Sequence, residues 1–170
     1  MEIVLSVVVA VAIGVVWVLV LRRAGRRRTI SGAPKDVRAL LSAYQRAQWA
    51  VVADGAPEVL ARPSDGADQS WRPALELALG QSLVELDRCD EAIGHLERGL
   101  LLQAAVRRSR TGGDTPDPGE AKLRHLLGWA YADTGRTAQA RKEYRRILDV
   151  AGLDPAIRTK VEASLEALDR

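Results

Sequence analysis

The residue types that most often carry chemistry in proteins are few in this sequence, and they lie far apart. The two histidines, His95 and His125, are 30 residues apart, and Cys89 is the single cysteine. A zinc site needs several such ligands at short, regular spacing, and the sequence contains no such set. A lone cysteine forms no intrachain disulfide, and a structural role is favoured over a reactive thiol. We therefore predict no metal site and no cofactor.

Motifs for phosphate binding or nucleophilic catalysis are also missing. Neither a phosphate-binding Gly-x-x-x-x-Gly-Lys loop nor a Gly-x-Ser-x-Gly nucleophile turn occurs, and Gly112-Gly113 lies in a proline-rich segment. The neighbouring acids Glu85, Asp87 and Asp90 are more typical of a solvated surface than of a general acid and base. The sequence therefore predicts a protein that is not an enzyme.

The charge of the chain is unevenly distributed. The 170 residues contain 25 Lys and Arg against 22 Asp and Glu. Residues 1–30 hold one acid and five of the basic residues, which leaves 20 basic and 21 acidic residues, a net charge of −1, in residues 31–170. A nearly neutral domain gives little electrostatic support for nucleic-acid binding. We predict no nucleic-acid partner.

The N-terminal segment has the pattern of a membrane anchor. Residues 3–21 carry no charge, and a helix of that length spans about 28 Å, close to the hydrocarbon thickness of a bilayer. Trp17 suits the membrane interface, and the arginines that follow the run favour a cytoplasmic location for the residues after it. A cleaved secretory signal would carry its positive charge before the apolar run, so an anchor is favoured. We predict a single-pass anchor (1–21), a basic linker (22–33) and a domain (34–170) in the cytoplasm, at the cytoplasmic membrane of a bacterium. The anchoring and topology residues are Trp17, Arg22, Arg23, Arg26, Arg27 and Arg28.

Small residues recur every four positions in the apolar run. Ser6, Ala10 and Gly14 would share one helix face and would let two membrane helices approach closely. Helix pairing is one interpretation, and chance occurrence in a segment rich in Val and Ala is the other.

Two segments downstream share one spacing pattern. Leu79-Gly80 and Leu127-Gly128 each open a series of apolar and small residues that matches position for position at an offset of 48. Each copy predicts two amphipathic helices joined by a short polar turn. The matched positions are Leu83 with Tyr131, Ala92 with Ala140, and Leu96 with Tyr144. We predict a helix–turn–helix repeat.

This pattern resembles the tetratricopeptide repeat family, in which Leu-Gly and a large residue in the first helix meet Ala-x3-Phe in the second. The resemblance covers residues 73–105 and 121–154, separated by a loop at 107–120. It departs from the family at Glu76 and Arg124, where a large apolar residue is usual. The fold class expected is all-α, an N-terminal transmembrane helix followed by a repeat-like α-α superhelix. A generic antiparallel helical bundle is the alternative.

Flanking helices are expected at both ends of the repeats. Apolar spacing predicts one helix of about twenty residues at 34–53, ended by Asp54-Gly55-Ala56-Pro57. Asp154 and Pro155 predict the cap and first position of an end helix at 155–169.

The resemblance implies a function in protein binding. Similar repeats bind peptides on the concave face of their first helices, and Trp129 could anchor a partner there or pack within the domain. The function expected is a membrane-tethered interaction scaffold, and the alternative is a structural subunit of a larger membrane complex, with the 107–120 loop as a contact. The candidate partner-binding residues are Gln81, Glu85, Lys122, His125, Trp129 and Asp133, beside Leu77 and Val84.

Overall fold

The computed structural model describes residues 33–63, 70–111, 118–150 and 153–169. All regular structure in these ranges is α-helical, which confirms the all-α prediction. The described helices belong to one compact unit, Ala33–Arg170. They are α1 (Lys35–Gln45), α2 (Trp49–Ala61), α3 (Arg72–Glu85), α4 (Cys89–Thr111), α5 (Pro118–Asp133), α6 (Thr137–Leu148) and α7 (Pro155–Ala167).

Six of these helices form three antiparallel hairpins with the same turn. Hairpin 1 is α1–α2, hairpin 2 is α3–α4 and hairpin 3 is α5–α6. The middle residue of each turn has a positive φ: 56° at Ala47, 58° at Asp87 and 74° at Gly135. The next N–H donates to the carbonyl five residues back, which completes the left-handed helix termination that glycine favours. The N···O distances are 3.0 Å (Gln48 to Ala43), 2.9 Å (Arg88 to Leu83) and 2.7 Å (Arg136 to Tyr131).

The prediction of a single helix at 34–53 was wrong. The chain turns at residues 46–48, and α2 continues through Gly55 and Pro57 to Ala61. Apolar spacing runs through this turn without interruption, and Ala47 holds the positive φ without a glycine or proline to mark it. The turns align the hairpins at offsets of 40 and 48 residues, so hairpin 1 is a third copy of the same supersecondary unit.

Close helix approach in hairpins 2 and 3 depends on glycine. A Cβ on Gly80 would lie 2.5 Å from Cδ2 of Leu96, and one on Gly128 would lie 2.6 Å from Cε1 of Tyr144. Such distances are too short for two carbon atoms, so a larger residue would require Leu96, Tyr144 or the helices themselves to shift. The Leu-Gly spacing in the sequence thus has a packing reason in both copies.

Hairpin 1 reverses this arrangement of large and small residues. Leu40 stands at the position of Gly80 and Gly128, and Ala56 stands at the position of Leu96 and Tyr144. The side chain of Leu40 lies over Gly55, where a Cβ would be 2.8 Å from Leu40 Cδ2. The bulky side chain comes from the first helix here and from the second helix in the other hairpins.

Buried charges explain the departures at Glu76 and Arg124. Glu76 is 4% exposed; its Oε2 lies 2.8 Å from Nδ1 of His95, and its Oε1 lies 3.3 Å from Nε of Arg98. In hairpin 3, Arg124 takes the equivalent position and reaches Glu143 of α6 at 2.6 Å. A charged pair therefore fills this space between the helices in both hairpins.

The pair in hairpin 3 belongs to a longer chain of alternating charges across three helices. Arg107 of α4 contacts Glu120 of α5 at 3.0 Å, and Glu120 contacts Arg124 at 2.6 Å. Glu143 in turn contacts Arg146 at 2.9 Å. Burial costs such pairs their hydration, so removing one partner leaves an uncompensated charge and is costly. This series of ion pairs connects both ends of the 107–120 segment. The prediction of a loop over that whole segment was wrong, because residues 107–111 belong to α4 and residues 118–120 belong to α5.

The end helix α7 confirms the prediction for the C-terminal segment. Asp154 accepts a hydrogen bond from the N–H of Ala156 at 2.8 Å, and Pro155 begins the helix. Val161 is fully buried and closes the apolar core at this end of the domain.

The membrane-spanning part of the fold-class prediction is corrected. Among the described residues, no helix combines the length and the apolar character that crossing a membrane requires. The longest, α4, has 23 residues but carries charges along its length, including Asp90, Glu97 and Arg107. The prediction rested on residues 3–21, which lie outside the described residues, as do residues 22–32 of the predicted 22–33 linker. The location at the cytoplasmic membrane stays a prediction.

Candidate protein-binding face

The first helices of the three hairpins lie next to one another. Helix α3 contacts both α1 and α5, whereas the described parts of the second helices are not in comparable contact with each other. The first helices therefore form an inner layer. We call the exposed side of α1, α3 and α5 the first-helix face.

Tyr44 connects all three helices of this face. Its hydroxyl accepts a hydrogen bond from Nζ of Lys122 on α5 at 2.8 Å and donates one to Oε1 of Gln81 on α3. The amide of Gln81 donates to Glu85 at 3.5 Å. The lysine nitrogen also lies 5.4 Å from the centre of the Tyr44 ring, within the range of a cation–π interaction. A cation and a carboxylate thus stand at opposite ends of one hydrogen-bonded series.

Burial dominates the electrostatics of this series. It lowers the pKa of Lys122 to about 8, although the charge of Glu85 acts in the opposite direction. Burial also raises the pKa of the Tyr44 hydroxyl above its ordinary value, and Glu85 adds to that effect. Tyr44 is therefore neutral at physiological pH, and it can accept from Lys122 while it donates to Gln81.

Trp129 is the largest exposed apolar side chain on the face. It occupies in α5 the position of Gln81 in α3, 48 residues earlier, and 49% of its surface is exposed. Lys122 lies seven residues before it, so both side chains emerge along one stripe of the helix about 10 Å apart. An indole and a cation thus lie side by side on the first-helix face.

Two of the predicted residues have neighbours outside this series. His125 packs 5.9 Å from the ring of Tyr144 on α6, and its pKa is lowered to about 4 by burial and by the nearby Lys160 of α7. Asp133 is exposed at the turn of hairpin 3, where it accepts a hydrogen bond from the thiol of Cys89. Burial and this contact raise the pKa of Cys89 to about 11, which disfavours a nucleophilic thiolate.

The structure therefore joins Gln81, Glu85 and Lys122 and places Trp129 beside them. Sequence reasoning missed Tyr44, the residue at the centre, because its spacing assigned it to the apolar stripe of α1. A tyrosine within such a stripe still has a hydroxyl that requires a partner, and that requirement was the available signal.

Several predicted residues lie outside the described part of the chain. They are the proposed pairing residues Ser6, Ala10 and Gly14, and the anchoring residues Trp17, Arg22, Arg23, Arg26, Arg27 and Arg28. Within the described ranges, no group of three or more His, Cys, Asp or Glu side chains is arranged to hold a metal ion.

Comparison with known proteins identifies no family. No family model matches the chain, and neither a curated protein nor a solved structure matches it. The resemblance to tetratricopeptide repeats stays a prediction.

Proposed function

We propose that the chain is a non-catalytic scaffold that binds another protein on the first-helix face, in the manner of tetratricopeptide repeats. The single observation that carries this proposal is the half-exposed Trp129, in line with Lys122 and beside the Tyr44 series. Aromatic side chains that combine a large apolar surface with nearby polar groups are frequent anchors of protein interfaces.

Three hairpins give this face more length than two repeats would. The packing geometry supports a repeat architecture, since all three hairpins share one turn and two of them share the glycine contact. The first helices contact one another in order, α1 with α3 and α3 with α5, and a row of neighbouring helices suits an extended or helical segment of a partner.

The test is capture of partners by the full chain and by matched variants. Trp129→Ala combined with Lys122→Ala should reduce capture of a specific partner at least tenfold while circular dichroism shows unchanged helicity. Lys142→Ala, on the exposed surface of α6, is the control and should leave capture unchanged. Equal loss in the control, or full capture by the double variant, would reject this face.

The second candidate function is a structural subunit of a larger complex. The observation in its favour is α4, which has 23 residues against 14 in its partner α3 and presents Leu101 with 71% of its surface exposed. Here Leu101→Asp, rather than the Trp129 variant, should release the chain from its complex. Copurification at fixed stoichiometry would favour the subunit, whereas exchangeable partners would favour the scaffold.

A further inference from the structure

The lysines of this chain occupy different environments. There are four: Lys35, Lys122, Lys142 and Lys160. Lys35 and Lys142 are exposed to solvent, and Lys160 is half-buried on α7. Lys122 is half-buried on the first-helix face, where its side chain reaches from α5 to Tyr44 of α1.

The contacts of Lys122 are those of a lysine without a counter-ion. Its one hydrogen bond within the described residues goes to a neutral hydroxyl, at 2.8 Å from Tyr44, and its other close neighbour is the ring of the same tyrosine. No carboxylate of the described residues lies within ion-pair distance of its nitrogen. Half-buried Arg107 and Arg124, by contrast, each contact at least one carboxylate.

We propose that Lys122 is a modification site, at which the uncharged amine accepts an acyl group from small acyl phosphates. The nitrogen lone pair attacks the acyl carbon, a C–N bond forms, and the C–O bond to phosphate breaks. Inorganic phosphate leaves with that electron pair, and the proton displaced from nitrogen passes to phosphate or solvent. No further co-reactant is required.

The electrostatics agree with this geometry. Burial lowers the pKa of Lys122 to about 8, with Tyr44 of α1 and Glu85 of α3 as the titratable groups that face it. At pH 7.5 the amine fraction is then on the order of a hundred times that of an unperturbed lysine. A less basic amine is also a weaker nucleophile, so we expect a net advantage of about tenfold.

Acylation would change the face as well as the residue. The neutral amide keeps one N–H but loses the positive charge and the cation–π interaction with Tyr44. The connection between α1 and α5 would weaken, and the cationic end of the Tyr44 series would disappear. This inference concerns the reactivity of the chain itself and does not depend on any bound partner.

The test uses the full chain with acetyl phosphate at pH 7.5, and mass spectrometry of peptides that contain each lysine. Lys122 should be acetylated about tenfold faster than Lys35 and Lys142, and its rate should level off above about pH 8. In concentrated urea the advantage should vanish, because it originates in the folded environment. A native rate equal to or below that of Lys142 would overturn the proposal. An advantage that persists in urea would overturn it too, since local sequence would then be its cause.

Discussion

Glu76 and Arg124 occupy the same position in successive hairpins and carry opposite charges. Glu76 is buried and Arg124 is half-buried, and each is paired with the second helix of its own hairpin, Glu76 with His95 and Arg98, and Arg124 with Glu143. The position therefore conserves an interhelical ion pair in both hairpins while the sign is inverted. Within each hairpin, the charge on the first helix is opposite to the charge on the second helix, so a change of sign on one helix requires a matching change on the other.

Removing the charge of Arg124 should destabilise the domain. Arg124→Met leaves Glu120 and Glu143 buried with one fewer cation, and we expect a loss of about 3 kcal/mol in the free energy of unfolding. Arg146→Met is the control, because that side chain is 47% exposed and its pair with Glu143 should contribute less than about 1 kcal/mol. Chemical denaturation of both variants measures the difference. Equal losses would show that burial does not set the strength of these pairs.

Gly128→Ala should be more harmful than an alanine elsewhere on a helix. The new Cβ would meet three ring atoms of Tyr144 at 2.6 to 2.9 Å, and the resulting displacement should cost about 1–3 kcal/mol. Gly94→Ala in α4 is the matched control, because its Cβ would have only Arg98 nearby, at 3.8 Å, and alanine favours helix by about 1 kcal/mol. Thermal melting should therefore move in opposite directions for the two variants. A shift in the same direction would contradict the packing described for hairpin 3.

Tyr44→Phe should loosen hairpin 1 from the other two. The variant keeps the ring and its contact with Lys122 but leaves Lys122 and Gln81 without their shared hydroxyl, at an expected cost of about 1–2 kcal/mol. Tyr131→Phe is the control, since its hydroxyl donates at 2.5 Å to Glu97, whose side chain is exposed and can bind water instead. Hydrogen exchange should speed up in α1 for the first variant only. Unchanged exchange in α1 would mean that the Tyr44 series does not hold the hairpins together.

The burial of His125 predicts a loss of stability in mild acid. The unfolded chain gains a proton at this histidine as the pH falls through about 6.5, whereas the folded pKa is about 4. Between those values the unfolded state binds more protons than the folded state. Lowering the pH from 6.5 to 4 should therefore reduce the free energy of unfolding by up to about 3 kcal/mol. His125→Phe keeps an aromatic ring against Tyr144 and should lose less stability between pH 6.5 and pH 4. Identical pH profiles for the variant and the parent chain would show that His125 does not cause the loss of stability in acid.

The parts of the fold that the sequence predicts are those with local signals. The Leu-Gly spacings and the cap at Asp154 each follow from a few neighbouring residues, and α3 to α7 lie in the segments predicted for the repeats and the end helix. The exception is the predicted 107–120 loop, into which α4 extends as far as Thr111 and in which α5 begins at Pro118. The division of residues 34–53 was not predicted, because Ala47 adopts its positive φ under tertiary constraint and its residue type gives no sign of it.

The candidate site was predicted only in part for a similar reason. Motif positions selected Gln81, Glu85 and Lys122, but their connection through Tyr44 joins residues up to 78 positions apart. The placement of His125 against Tyr144 and Lys160 likewise depends on how α6 and α7 pack on α5. Spacing along one helix gives the stripe on which a residue lies, but the neighbouring elements decide what it meets.

The reversed packing of Leu40 and Gly55 has a consequence for how these hairpins could be exchanged. A chimera that joined α1 to α6 would force Leu40 and Tyr144 into the same space, while one that joined α3 to α2 would leave Gly80 facing Ala56 across a gap. The modules are therefore not interchangeable even though their turns are alike. Recombination within this chain, or a consensus built by averaging its copies, would fail unless both members of each large-and-small pair moved together.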